Sequence, residues 1–529
     1  MQVKSFSVAR GAVLLMSTKN ANSHLTSGHL LARNTVWNLA GQILPMVVGL
    51  ITIPPIIRAI GVERFGVLSL AWVVVGYFSL FDLGIGRALT KLVADKLGAN
   101  EEHSIGPLVW TSLLLMLVLG IFGAAVTLLI SPLLVHRLLK ISQALQKETL
   151  QGFYLLAVSI PIVTLTAGLR GILEALQRFR VVNLIRIPMS VWSFAAPLVV
   201  LPFSRSVAAV IGILTIGRLI ACVAHLFACL RVVPGLSRFA VDFGLAVPVL
   251  KVGGWMTVSN ICGPAIIYGD RFLISNLLSL SAVSYYTAPF DMISRVTAVP
   301  AAVGGVLFPA FAVSMAQEPK RAGLLLERGI KYIFMIVFPV TLIVATFAPE
   351  ILQVWLGSGF AQHSASVLRW LSIGMLMSCL TAIPFSSLQG IGRSDIAGKV
   401  LLIDLLVYFV VLFVLTKHFG IGGAAMAWAG RTTLELLIFL ALNHRFLPKG
   451  VLPLKLTTIG LIGALGVFYS VTQMHGIAIR TAFAALALVA FSLGSWFLFL
   501  EMKERVFFTQ VGLHQVLSSL RQRASTTVQ

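Results

Sequence analysis

The sequence predicts an all-α integral membrane protein of about fourteen transmembrane helices, in two pseudo-symmetric six-helix lobes around a central cavity, with two further helices appended at the C-terminus. Three observations predict it. Of the 529 residues, 58% are hydrophobic and only 11% charged, with a mean hydropathy of +0.96, more apolar surface than a soluble core hides. Apolar runs recur along the whole length, each close to the ~20 residues that cross ~30 Å of hydrocarbon. Short stretches of the first half also return, in order, in the second.

The spans begin near Thr35, Gly66, Pro107, Gln151, Val181, Val207, Val247, Ala282, Gly329, Ser366, Ala397, Ala424, Leu456 and Ile477. Residues 1–33 read as a cytoplasmic tail whose one apolar run, Ala12–Met16, is too short for a signal-peptide core or a span, and Met16 is a candidate start. Residues 34–235 and 236–447 read as the two lobes, 448–500 as the appended pair and 501–529 as a second cytoplasmic tail. The appended pair shows almost no membrane charge and no polar stripe, which places it outside the working core. Connections are short and hold no soluble domain, which argues against an enzyme with an extramembrane active site.

A formal charge of +22 raises the question of nucleic acid, but the placement of the charge answers it. With the N-terminus inside, alternate connections divide so that most Lys and Arg fall on the inner side, as in the clusters Arg87, Lys91, Lys96 and Lys320, Arg321, Arg328, Lys331. That bias puts both termini on the cytoplasmic side, with the basic clusters in contact with anionic lipid. The cysteines, Cys222, Cys229, Cys262 and Cys379, lie within apolar segments without Cys-x-x-Cys or paired His, and read as packing residues, with no metal site. No Gly-x-x-x-x-Gly-Lys is present, and the Gly-Ile-Gly triplets at Gly84, Gly390 and Gly420 read as short connections, so neither nucleotide nor other cofactor is expected.

Two echoes suggest duplication. Thr35, Val36, Asn38 and Gly41 return at Thr257, Val258, Asn260 and Gly263, and Leu176-Gln177 with Arg178 returns as Leu388-Gln389 with Arg393. A repeated unit of six spans keeps its orientation, so the halves are parallel repeats about an axis along the membrane normal. Prolines interrupt many spans, either as static bends or as points that bend between two states, the second reading fitting best in spans one and seven, which lead the lobes.

Arginine is the costliest residue at a bilayer centre, at roughly 2.5–3.5 kcal/mol each on translocon scales. Arg170, Arg186, Arg218, Arg271, Arg295, Arg369 and Arg431 nevertheless lie within or beside the spans. Helical spacing sets polar stripes at Asn34, Asn38 and Gln42; at Asn183, Arg186, Ser190 and Ser193; at Arg218, Cys222 and His225; and at Asn260 with Arg271. Asp291 with Arg295 and Arg431 with Glu435 are i, i+4 pairs that either neutralise one another or serve transport, whereas adjacent Asp270 and Arg271 point apart. Arg186, Arg218 and Arg369 have no carboxylate within a helical turn. Asp404, alone in an apolar span, is either a carboxylate that takes up and releases a proton or the fixed partner of an arginine on a neighbouring helix. These residues give Arg186, Arg218, Arg271, Arg369, Asn38 and Asn260 as candidate substrate contacts and Asp270, Asp291, Arg295, Asp404, Arg431 and Glu435 as coupling or structural ion pairs; no catalytic residue is expected.

Ile60-Gly61-Val62-Glu63-Arg64-Phe65-Gly66, with Phe81-Asp82-Leu83-Gly84-Ile85-Gly86-Arg87-Ala88-Leu89, resembles the first-hairpin signature of bacterial polysaccharide-biosynthesis flippases, which move undecaprenyl-diphosphate-linked repeat units across the inner membrane. Tyr268-Gly269-Asp270-Arg271-Phe272-Leu273-Ile274 with Ala282-Val283-Ser284-Tyr285-Tyr286 resembles the matching stretch of the second lobe, with Ser284 where glycine is usual. This multidrug/oligosaccharidyl-lipid/polysaccharide exporter resemblance implies alternating access, a cationic cavity for O-antigen, capsule or exopolysaccharide units, and glycan polymerase and chain-length regulator proteins as partners. A cation-coupled drug antiporter of the same superfamily is the nearest alternative, favouring unpaired carboxylates over arginines; a glycan polymerase or ligase, an enzyme, would need a large outer loop.

Overall fold

The computed structural model describes residues 44–45, 47–77, 85–98, 101, 104–176, 178–233, 236, 239–301, 303, 319–390, 393–446, 454–474, 476–500 and 505, and among these there is no strand. The helices are α1 (Val47–Ile60), α2 (Val62–Tyr77), α3 (Ile85–Gly98), α4 (Ile105–Leu133), α5 (Gln143–Ala175), α6 (Phe179–Val200), α7 (Val207–Val232), α8 (Ala246–Leu277), α9 (Leu280–Ile293), α10 (Pro319–Thr346), α11 (Ala348–Leu356), α12 (Ser358–Gly390), α13 (Ser394–Phe446), α14 (Leu454–Gln473) and α15 (Ile477–Gly494). Eight helices among the described residues are long and apolar enough to cross a membrane, one of them α13, which joins two expected spans. The chain is a multi-pass membrane protein. Two compact units divide it, Met1–Ser284 and Tyr285–Gln529.

In the first unit α5 is the central post. Against α4 it runs antiparallel, with Gly120 beside Pro161 and Thr164 and Met116 beside Gly168. Against α7 it runs parallel: Gly152 meets Ile211, Ser159 meets Arg218 and Leu169 meets Cys229, so the partners advance together. Gly171 brings α3 close, its backbone facing Thr90 and the carbonyl of Gly86. Small residues at these crossings let backbones approach where lipid supplies no hydrophobic drive. The basic stretch at Arg87–Lys96 thus belongs to a helix whose Ile85, Ala88, Leu89 and Val93 are buried, which a reading as a loop missed.

One end of this unit is clasped by polar side chains. The N-cap residues of α5 and α7, Ser142 and Ser206, make no side-chain cap bond, leaving helix N–H groups open. Glu63 accepts from Ser142 N–H at 3.3 Å, and Glu148 accepts from Val207 N–H while pairing with Arg64 Nε at 3.3 Å. Carboxylates so placed also complement the positive helix ends. Ser284 Oγ donates to Val62 O at 2.6 Å, and Gly66 faces the carbonyl of Leu280 so closely that a Cβ would stand 2.2 Å from its oxygen. Ser284, which departs from the usual glycine, therefore holds the first signature stretch to the second.

In the second unit α12 runs parallel to the second arm of α13, with Gly374 against Trp428 and Ala429 and Asn443 Nδ2 donating to Pro384 O at 2.9 Å. The arms of α13 form an antiparallel hairpin at Gly420, whose φ of 60° and ψ of −144° interrupt the helix. Beyond it, Gly423 lies on Leu415: a Cβ there would be 2.0 Å from the Leu415 carbonyl oxygen. The pair α14 and α15 packs on α10 through Phe334, Phe338, Phe468 and Phe491.

The run α5–α6–α7 and the run α12 with the two α13 arms share a hydrogen-bond pattern. Arg178 N–H donates to Leu173 O at 2.8 Å, and the N–H groups of Val181 and Val182 donate to Arg178 O at 3.0 and 3.2 Å. Arg393 N–H donates to Leu388 O at 2.9 Å, and those of Ile396 and Ala397 donate to Arg393 O at 3.2 and 3.4 Å. The offset is 393 − 178 = 215, whereas the Leu-Gln echo gives 388 − 176 = 212. The structure shifts that echo by three residues, because Leu176 caps the end of α5 while Leu388 lies inside α12. The acceptors of two inter-helix bonds, Leu169 O from Cys229 and Pro384 O from Asn443, fall in the same register, with the donors one residue short of it. Of the other echo, Thr35–Gly41 lies outside the described residues.

Candidate functional site

Four of the seven arginines were expected to need an anion, and the structure places three of them on long apolar helices without a carboxylate contact among the described residues. Arg186 lies half-buried on α6 and makes no hydrogen bond or ion pair among the described residues. On the same helix Asn183 is buried, Ser193 donates back to Met189 O at 3.0 Å, and Trp192 fills the space over Gly217, donating to Ile213 O at 3.4 Å. Arg218, on α7, donates from Nη1 to Ser159 Oγ at 3.1 Å, and Ser159 donates in turn to Leu156 O at 2.7 Å. A serine hydroxyl supplies an acceptor but no charge. His225, one stripe position further, is buried with Nδ1 2.8 Å from Ala221 O, so that nitrogen carries the proton, while Nε2 is enclosed without a hydrogen-bond partner among the described residues.

Arg369 sits eleven residues along α12, half-buried, its Nε enclosed without a hydrogen-bond partner among the described residues. Arg271 differs: it is 3% exposed on α8 with its guanidinium 5.1 Å from the Tyr268 ring centroid, beside fully buried Asp270. In this conformation neither presents its side chain to solvent. Asn260 lies on the same helix, where the backbone alone is described, and Asn38 falls outside the described residues.

Several of the remaining charges pair with one another. Arg170 pairs with Glu174 at 3.5 Å across one turn of α5. Asp291 ends α9 partly buried, and Arg295 follows in the 3-10 turn Ser294–Thr297. Asp404 is not alone. The α13 hairpin brings it to Arg431, whose Nε lies 2.6 Å from Asp404 Oδ2 and whose Nη2 lies 2.7 Å from Glu435 Oε2. All three side chains are 10–12% exposed, and the Tyr408 ring lies 5.5 Å from the guanidinium. Asp404 thus has an arginine partner on a neighbouring helix. Sequence spacing finds the i, i+4 pair but not a partner 27 residues away, which only the fold back at Gly420 delivers.

The sequence reading also missed Arg480. It is the third helical residue of α15 after Ile477 and only 8% exposed, so the appended pair carries a buried charge after all. Its Nη2 and Nη1 meet Glu350 Oε1 and Oε2 at 2.6 and 3.3 Å, and Nη1 also donates to Thr346 O at 3.0 Å. Both Glu350 and Arg480 act electrostatically on Arg369, the first attracting and the second repelling its charge. Only the sign of Glu350, at the start of α11, hinted at a partner. Among the described residues no group of three His, Cys, Asp or Glu side chains could hold a metal ion.

Known proteins place this architecture. The "Putative O-antigen transporter" of Shigella flexneri is 29% identical over 407 residues, covering 77% of this chain and 96% of that protein. The succinoglycan biosynthesis transport protein ExoT of Rhizobium meliloti is 27% identical over 379 residues, covering 69% of this chain and 70% of its own. Two solved structures share the fold at low identity: the lipid II flippase MurJ in an inward closed conformation (TM-score 0.67, 12% identity, 87% of this chain and 98% of that one) and an inward-facing multidrug resistance transporter of the MATE family within the MOP superfamily (TM-score 0.64, 14% identity, 84% and 96%). A family model described as polysaccharide biosynthesis protein matches residues 31–315, and with more than half of its length inside that match the chain belongs to the polysaccharide biosynthesis protein family.

Proposed function

We propose that the protein is a flippase that moves undecaprenyl-diphosphate-linked oligosaccharide repeat units, destined for O-antigen, capsule or exopolysaccharide, across the bacterial inner membrane. The observation that carries this reading is the state of Arg186, Arg218 and Arg369: three guanidiniums on apolar helices with no carboxylate contact among the described residues. Each costs roughly 2.5–3.5 kcal/mol at a helix centre, a cost that an anionic ligand offsets. A diphosphate on a polyprenyl tail suits such a site, because arginine binds phosphate oxygens bidentately while the tail stays in lipid. The family match and the relatives' names as O-antigen and succinoglycan transporters support the same substrate class.

Arg186, Arg218, Arg271 and Arg369 are each contacts for the substrate's diphosphate in the course of its passage. Asn38 and Asn260 contact the glycan. Both termini are cytoplasmic, and the site is exposed alternately to the two sides of the membrane. The Asp404–Arg431–Glu435 group, like Asp270, Asp291 and Arg295, couples or braces the helices that move. Glycan polymerase and chain-length regulator proteins take up the exported unit. Replacing Arg186, Arg218 or Arg369 by Ala, one at a time, should lower surface glycan about tenfold or more at unchanged protein level, the size of one lost charge-assisted hydrogen bond. Normal surface glycan in all three variants would remove the diphosphate from this site.

A further inference from the structure

Arg369 has a carboxylate within electrostatic reach and yet does not hold it. Glu350 sits on the short helix α11, and its two oxygens are taken by Arg480 of α15 in a two-point pair at 2.6 and 3.3 Å. Arg480 is anchored from the other side by Thr346 O at 3.0 Å, so its fork is fixed in place. The cluster therefore holds two guanidiniums and one carboxylate, for a net charge of +1, with the carboxylate committed to the arginine that is 8% exposed. Arg369 keeps a full charge and an enclosed Nε without a hydrogen-bond partner among the described residues.

We infer that Arg480 is a positioning residue for anion binding: by holding Glu350, it keeps that carboxylate from neutralising Arg369. The inference rests on the reading of Arg369 as a diphosphate contact, and it adds the appended helix pair, through a residue that never touches the ligand, to the machinery of the site. The Glu350 side chain is 32% exposed, so it has room to turn once released. Without Arg480, Arg369 on the packed neighbour α12 is a cation within electrostatic reach of Glu350, and an internal ion pair there competes directly with phosphate oxygens. A purely structural salt bridge makes a different forecast for the Glu350→Gln variant, which would leave Arg480 buried and unpaired and so weaken binding together with stability.

The test is binding of undecaprenyl diphosphate to the full chain in lipid nanodiscs, with thermal unfolding of each variant recorded in parallel. Arg480→Gln keeps a donor for Thr346 O but releases Glu350, and should weaken binding about tenfold. Glu350→Gln alone should bind at least as tightly as the wild type. The double variant Glu350→Gln/Arg480→Gln should return to within about threefold of wild type, because no carboxylate remains to occupy Arg369. If the double variant binds as weakly as Arg480→Gln while both unfold at the wild-type temperature, or if Arg480→Gln binds normally, the positioning role is wrong. Arg369→Ala separates the two levels: normal binding in that variant removes Arg369 from the ligand site, whereas loss of binding without rescue in the double variant removes only the role of Arg480.

Discussion

At the scale of single residues, charge partners decide what each intramembrane arginine does. Arg170 and Arg431 find carboxylates, Arg218 finds only a hydroxyl, and Arg186 and Arg369 find no hydrogen-bonding partner among the described residues. Spacing within a helix made the Arg431–Glu435 pair legible, since i, i+4 neighbours share a face. It could not reveal Asp404 as the second partner or Arg480 as the holder of Glu350, because both depend on which helices become neighbours. Two carboxylates on one guanidinium make Arg431 hard to remove. Arg431→Gln should destabilise the protein by roughly 3–5 kcal/mol, as breaking a buried pair from one side does, and lower the unfolding temperature in detergent. An unchanged unfolding temperature would show that the group is solvated and not a brace.

At the scale of elements, glycines and carboxylates at helix ends set the joints. The apolar runs announced nearly every helix, and the Gly-Ile-Gly at Gly420 read as a short connection, which the hairpin of α13 is. Of the clasp, Glu63 and Arg64 were visible only as part of a motif resemblance and Glu148 not at all; its work, capping α5 and α7 with acidic side chains from other helices, depends on side-chain reach across the bundle. Backbone contact at Gly423 gives a direct test. Its added methyl would meet the Leu415 carbonyl, so Gly423→Ala should cost about 1–3 kcal/mol and loosen the hairpin, lowering the unfolding temperature and slowing glycan export. Gly422→Ala, which meets nothing within 4 Å, is the matched control and should unfold as the wild type does. Equal unfolding temperatures for the two variants would mean that the arms do not approach so closely.

At the scale of the whole molecule, composition settled the class before any contact was known: a chain 58% hydrophobic with recurring spans belongs in a membrane. The internal repeat was legible in outline and misaligned by three residues, since two-residue matches carry less information than a conserved hydrogen-bond pattern. The family match places the chain in the polysaccharide biosynthesis protein family, and the central claim of our proposal is that Arg186, Arg218 and Arg369 carry a diphosphate-linked glycan lipid across the bilayer. The direct measurement is transbilayer movement of a fluorescent undecaprenyl-diphosphate oligosaccharide in vesicles reconstituted with the purified protein. The wild type should move the lipid between leaflets, and a variant with Arg186, Arg218 and Arg369 all replaced by Ala should move it no faster than protein-free vesicles. Movement by the triple variant at the wild-type rate, or none by a folded wild type that expels cationic dyes instead, would contradict the account.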